Sequence, residues 1–211
     1  MPRTTTRPII IIAAALIALA ISQTAHAQIL DLAFGGAPRT DGGKVVGISL
    51  NSHGQTLTSL GFYDHNDDGI ATSYQLGLWD STQTLVRTAT VTPTSPLTDG
   101  FRYASIAPIT LGTFPNPEIF TIGVLLPENP DVWLDNATMI LYLGFSGAGT
   151  GRYSGPSGTL VYPTPVDTGN NYYVVNANGP APPIVPEPAS AALIAIFATI
   201  FSSMSRRQKR T

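Results

Sequence analysis

The chain contains no cysteine. Disulfides, thiolate metal sites and cysteine nucleophiles are therefore excluded. A chain of this kind must rely on its core, on bound ions or on its surroundings for stability. Histidine is also scarce, with three in 211 residues. Only His53 and His65 lie beyond the first 27 residues, and each sits in a polar, turn-like segment. Two histidines without cysteine make a poor zinc set. No Gly-x-Ser-x-Gly elbow accompanies them, which argues against a serine hydrolase. Charged residues make up only 11% of the chain. Sustained helical periodicity with caps is missing from everything between the two ends.

The little charge present is unevenly placed. Residues 28–187 hold all 13 acidic side chains but only five basic ones, Arg39, Lys44, Arg87, Arg102 and Arg152, a net charge of −8. The whole-chain value of −2 conceals this, because the other six cations lie near the termini. An acidic domain argues against nucleic acid and anionic lipid as partners.

Strand signals fill the middle of the chain. Lys44–Leu50, Leu57–Tyr63, Tyr74–Asp80, Thr84–Thr92, Phe101–Ile106, Ile119–Leu126 and Thr138–Phe145 are expected strands, with Tyr74, Leu76 and Leu78 on one face. Leu160–Tyr162 and Tyr172–Val175 are shorter candidates. Gly, Pro, Asn and Asp clusters separate these runs. The pattern predicts an all-β fold, an antiparallel β-sandwich of immunoglobulin-like or jelly-roll type, over residues 28–177. The Gly-, Ser- and Thr-rich segment Gly144–Gly158 reads as a long loop. Residues 178–185, with Pro180, Pro182 and Pro183, read as a stiff linker.

Both ends read as addresses and not as parts of the fold. Residues 1–27 have the form of a signal peptide: Arg3 and Arg7, then the apolar run Ile9–Ile21, then small residues at Ala25 and Ala27. Signal peptidase is expected to cut after Ala27, and the lack of a twin arginine favours the general secretory route. At the other end, Val185-Pro186-Glu187-Pro188 precedes an apolar stretch, Ala189–Met204. At 16 residues it spans roughly 24 Å, short of the ~30 Å bilayer core. The basic tail Arg206, Arg207, Lys209 and Arg210 follows, and it should stay cytoplasmic.

The order of Pro-Glu-Pro motif, weak span and basic tail over residues 186–211 resembles the PEP-CTERM sorting signal of Gram-negative bacteria. The resemblance implies a single transmembrane helix over 189–204, a transient stay in the inner membrane, and cleavage by an exosortase at or near Pro186, Glu187 and Pro188. The implied destination is the cell surface or the exopolysaccharide matrix. A plain tail-anchored protein that is never cleaved is the competing reading. A second resemblance covers roughly Lys44–Leu126. Leu60-Gly61-Phe62-Tyr63-Asp64, Asp67-Asp68-Gly69, Gln75-Leu76-Gly77-Leu78-Trp79-Asp80-Ser81 and Phe101-Arg102-Tyr103 run in the order of a DUF4082-like extracellular β-sandwich domain. That resemblance implies a non-enzymatic accessory module without an established active site.

Three constellations invite chemistry. In Asp64-His65-Asn66-Asp67-Asp68-Gly69, Asp64, Asn66 and Asp68 have the one-three-five spacing of a calcium loop. Gly69 falls at the sixth position and the Ile70 carbonyl at the seventh. The twelfth is Gln75, so the bidentate glutamate is missing. The same residues equally build a polar hairpin turn. Trp133, in a loop-like stretch, is the aromatic most expected to offer an exposed face to a sugar, whereas Trp79 reads as strand packing. Asp80, Asp99, Glu118 and Asp135 are carboxylates of the kind glycoside hydrolysis uses, but nothing in the sequence brings two together. The expected function is thus an exported, non-enzymatic structural or adhesive protein associated with extracellular polysaccharide. A carbohydrate-binding module and an extracellular polysaccharide hydrolase are the alternatives.

Overall fold

A computed structural model describes residues 26–142, 144–167 and 171–180. Residues 1–25 of the signal peptide expected over 1–27, and residues 181–211 with Pro186, Glu187, Pro188, the expected span 189–204 and the expected basic tail, lie outside the described residues. No helix among the described residues is long and apolar enough to cross a membrane.

The described chain is all-β. Its strands are β1 (His26–Gln28), β2 (Leu30–Arg39), β3 (Lys44–Ser52), β4 (Gln55–Tyr63), β5 (Tyr74–Trp79), β6 (Leu85–Val91), β7 (Leu97–Thr98), β8 (Phe101–Leu111), β9 (Glu118–Leu126), β10 (Trp133–Leu141), β11 (Phe145–Pro156) and β12 (Val175–Pro180). One sheet runs β1-β12-β4-β8-β7, a second runs β11-β3-β9-β5-β6, and β10 pairs with β2 as a two-stranded ribbon. Every strand pair is antiparallel. The sheets pack as the expected sandwich.

Alternation of side chains explains the packing. Val46, Ile48 and Leu50 of β3, Phe120, Ile122 and Val124 of β9, and Tyr74, Leu76 and Leu78 of β5 are all buried in one core. Period-two strands place such residues on one face. Leu57, Leu60 and Phe62 of β4 and Val175 and Ala177 of β12 meet them from the other sheet. Phe62 and Tyr74 join the two sheets directly, their rings stacked at 3.8 Å between centroids and 12° between planes. The Tyr74 hydroxyl donates to Asp131 Oδ2 at 2.8 Å and accepts from the Asp131 amide at 2.7 Å, so its polar end is satisfied.

The expected strands in β3, β4, β5, β6, β8 and β9 form close to their expected bounds. Four expectations are corrected. Gly144–Gly158 is not a long loop, because β11 occupies most of it and pairs with β3. Leu160–Tyr162 has no strand structure. Thr138–Phe145 is divided between the end of β10 and the start of β11. Residues 178–180, expected in the linker, belong to β12 and pair with β1.

Burial holds the Tyr74, Tyr103, Tyr172 and Tyr173 phenols well above the ordinary tyrosine range. The folded state keeps these protons where the unfolded state releases them. Stability is therefore fully present below pH ~10 and falls as pH rises above it. In an alkaline titration, the buried phenols should ionise together with loss of the β-sheet circular dichroism signal. Full tyrosinate absorbance appearing before any unfolding is the outcome that contradicts this.

Candidate functional site

The outward face of the β11-β3-β9-β5-β6 sheet carries an unusual row. Arg152, Gly47, Gly123, Gly77 and Thr88 stand in register across all five strands. The three central glycines are buried and make a trough. Trp79 fills it. A methyl group built on Gly77 would lie 2.5 Å from the indole of Trp79, and one on Gly123 would lie 3.2 Å from it. At Gly47 it would collide with the Ile122 carbonyl. Trp79 is accordingly only 2% exposed, yet it lies outside the main core cluster.

Residues 157–167, which have no strand structure apart from one bridge at Val166, lie across this face. Their backbone is tied to β11 by Tyr153 N–H to the Pro165 carbonyl (3.3 Å) and Asp167 N–H to the Gly151 carbonyl (2.9 Å). Tyr162 meets the edge of Trp79 at 6.0 Å between centroids. Beside it, the Arg152 guanidinium lies 5.5 Å from the Tyr162 ring centre. Arg152 Nε donates to Ser49 Oγ, Ser49 Oγ and Thr121 Oγ1 share a 2.6 Å bond, and Thr121 reaches the Tyr162 hydroxyl at 3.5 Å. Two cavities open here. The larger, of about 670 Å³, is bordered by Thr72, Ser73, Gln75, Leu125, Glu128 and Ser157. The smaller, of about 200 Å³, is bordered by Arg152, Ser49, Asn51, Thr150, Gly147 and Ile119. Hydroxyls, amides, one cation, the Glu128 carboxylate and the apolar Leu125 and Ile119 on these borders suit noncovalent recognition of an amphipathic ligand.

The Asp64–Gly69 segment is a turn built around an ion pair. Residues 65–67 form a 3₁₀ turn, with Asn66 and Asp67 at positive φ. The Asp64 side chain is fully buried. Its Oδ1 accepts from the Gly69 amide at 2.9 Å and its Oδ2 from Arg102 Nε at 2.7 Å. Both oxygens of Asp64 are thus engaged before any cation is considered. Among the described residues, no group of three or more acidic, histidine or cysteine side chains has metal-binding proximity. The geometry fits the turn reading of Asp64, Asn66, Asp68 and Ile70, with Asp64 committed to the Gly69 amide and to Arg102.

Trp133 is not the exposed face that the sequence suggests. It begins β10, is 1% exposed, and donates from Nε1 to the Asp41 carbonyl at 3.3 Å. Arg39 and Lys44 lie 5.0 and 5.8 Å from its ring centre, and Tyr172 meets it edge-on. Asp41 bridges both cations, and they hold its carboxyl down to about 2. The Pro-Asp context reads as a loop, but the position is a strand start capped by charge.

The four carboxylates considered for hydrolysis have structural occupations. Asp80 accepts from Thr82 and Thr84 in a turn, Glu118 accepts from the Gly112 amide, and Asp135 pairs with Arg39. Asp99 is a hairpin residue at positive φ. The glycine row and the 157–167 segment were missed in sequence because register between distant strands is not visible there. The spacing of Gly77 from Trp79 was the available signal. In comparison with known proteins, the chain matches no family model, and no curated relative matches it.

Gly77→Ala should push Trp79 from its trough. The expected loss is about 1–3 kcal/mol, as for overpacking elsewhere, with a shifted tryptophan emission. Denaturant unfolding at wild-type stability with unchanged emission contradicts this.

Arg102→Met should leave the buried Asp64 charge unpaired and destabilise the domain by about 3 kcal/mol. Millimolar calcium should leave the wild-type melting temperature unchanged. A calcium-dependent rise that Asp68→Ala abolishes would show that a cation displaces Arg102.

Proposed function

We propose that this is an exported, non-enzymatic β-sandwich protein, sorted through its PEP-CTERM-like tail to the envelope surface or the extracellular polysaccharide matrix of a Gram-negative bacterium. Its role there is structural or adhesive. Signal peptidase and an exosortase are its processing partners, and the inner membrane holds it only in transit.

The observation that carries this reading is the pairing of the domain's two ends. His26 stands opposite Pro180 and Ala27 opposite Gly179, in an antiparallel ladder at one sheet edge. The chain therefore joins and leaves the folded unit at one place. This suits a domain whose signal peptide and sorting tail both engage the same membrane. Cleavage after Ala27 removes two of the three β1 residues and leaves Gln28 opposite Asn178. The fold keeps its anchor there, because Gln28 Oε1 accepts from Asn176 Nδ2 at 3.3 Å. The resemblance to a DUF4082-like accessory module is compatible with the same role.

A carbohydrate-binding module is the second reading. It is favoured by the larger cavity beside the glycine row, whose lining mixes Ser73, Gln75 and Ser157 with Leu125 and Pro127, and no longer by Trp133, which is buried.

Mass spectrometry of the protein's C-terminus, in surface and membrane fractions of the native host, tests the sorting reading. A product ending near Pro186–Pro188 in the surface or secreted fraction is expected. An intact chain through Thr211, confined to the inner membrane, makes this a tail-anchored domain and removes the matrix role.

A further inference from the structure

Residues 28–187 are acidic, and their five cations have different occupations. Arg39 and Lys44 are paired with Asp41, and Arg39 also with Asp135. Arg102 is paired with Asp64. Arg87 lies across the carbonyls of Val86, Ala107 and Pro108, which absorb its donors. Arg152 differs from Arg39, Lys44 and Arg102 in having no carboxylate partner among the described residues, and from Arg87 in having fewer of its donors taken up by carbonyls. Among the described residues it forms no ion pair, and its donors meet the Ser49 hydroxyl and, at a long 3.4 Å, the Thr164 carbonyl.

Its surroundings are fixed. Arg152 pairs across strands with Gly47, carries the Val166 bridge and lies over the Tyr162 ring. The guanidinium is thereby oriented without being neutralised, at the border of the 200 Å³ cavity. On one side that cavity is bordered by the Asn51 amide and by the Ser49 hydroxyl, which holds Arg152 in place. Ile119, an apolar side chain left 53% exposed, stands on the other. A planar fork of N–H donors matches a carboxylate geometrically. Hydroxyl and amide groups beside it match ring hydroxyls, and an exposed aliphatic surface matches the C–H face of a pyranose.

We infer that Arg152, with Ser49, Asn51 and Ile119, forms a subsite for the carboxylate of an acidic sugar residue in a polysaccharide. The choice of a sugar as bearer of the carboxylate rests on the matrix reading above, whereas the anion-binding geometry does not.

The test is calorimetric titration of the purified full-length protein with oligogalacturonate. A neutral galactose oligomer of the same length and inorganic sulfate serve as comparisons. Saturable binding of the uronate is expected, at least tenfold tighter than that of the neutral oligomer, and not displaced by sulfate at equal concentration. Arg152→Gln should weaken it tenfold or more, and Arg152→Lys should not restore it, because a point charge lacks the fork. Arg87→Gln should leave it unchanged. If Arg152→Gln does not fold, Ile119→Asp provides the same test, since that exposed position tolerates substitution and a carboxylate there repels the ligand. Equal binding by the Arg152 and Ile119 variants overturns the subsite. So does absence of uronate binding by folded wild-type protein. Displacement by sulfate overturns the acidic-sugar assignment in favour of a general anion site. These outcomes are independent of the C-terminal mass, which tests destination alone.

Discussion

The last strand closes this domain, and one side chain in it does most of the joining. Asn176 in β12 is completely buried. Its Oδ1 accepts from the Leu30 amide at 3.3 Å, and its Nδ2 donates to the Leu30 carbonyl at 2.8 Å and to Gln28 Oε1. The side-chain amide thus imitates a backbone partner for a residue 146 positions earlier. A buried amide is worth keeping only when its groups are satisfied, because an orphaned one costs about 1–3 kcal/mol. Around it, Val174, Val175 and Ala177 are wholly buried, so apolar burial and amide pairing act at the same point. With no disulfide available, this long-range contact does what a covalent staple does in many small exported domains.

That closure sets the order of events. Strand β12 lies between β1 and β4, so the sheet cannot be completed until residues 175–180 are in place. Contacts of such sequence separation form slowly, since the loop-closure entropy comes before the reward.

Strands β3, β4, β5, β6, β8 and β9 were legible because one face is apolar and the other polar, and the period of two survives in the sequence. Strand β11 was not legible. Its segment is Gly-, Ser- and Thr-rich, it lies at a sheet edge, and its pairing with β3 shifts register twice. Where the ladder breaks, the Ser154 hydroxyl takes over by accepting from the Val45 amide at 2.8 Å. Backbone pairing holds such a strand without hydrophobic alternation, so alternation cannot find it. The Asp64 loop shows the opposite case: a correct local reading of turn chemistry with the partner hidden 38 residues away, in Arg102. Trp133 misled for the same reason, since its cover comes from Arg39, Lys44 and Tyr172.

The two tryptophans then divide the molecule's surface by function. Trp133 lies beneath cations that have carboxylate partners, so charge there is internally balanced and the cluster serves stability. Trp79 lies in a glycine trough beneath Tyr162, and the cation next to it has no carboxylate partner among the described residues. A sheet with small residues in register gives up side-chain packing that β-branched residues would supply. Such a row is kept where something bulky must lie close to the backbone. Here Trp79 and the 157–167 segment occupy that space, and in doing so they fix Arg152 at the rim. The glycine row therefore ties the packing of the sheet to the placement of Arg152, an arginine with no carboxylate partner among the described residues.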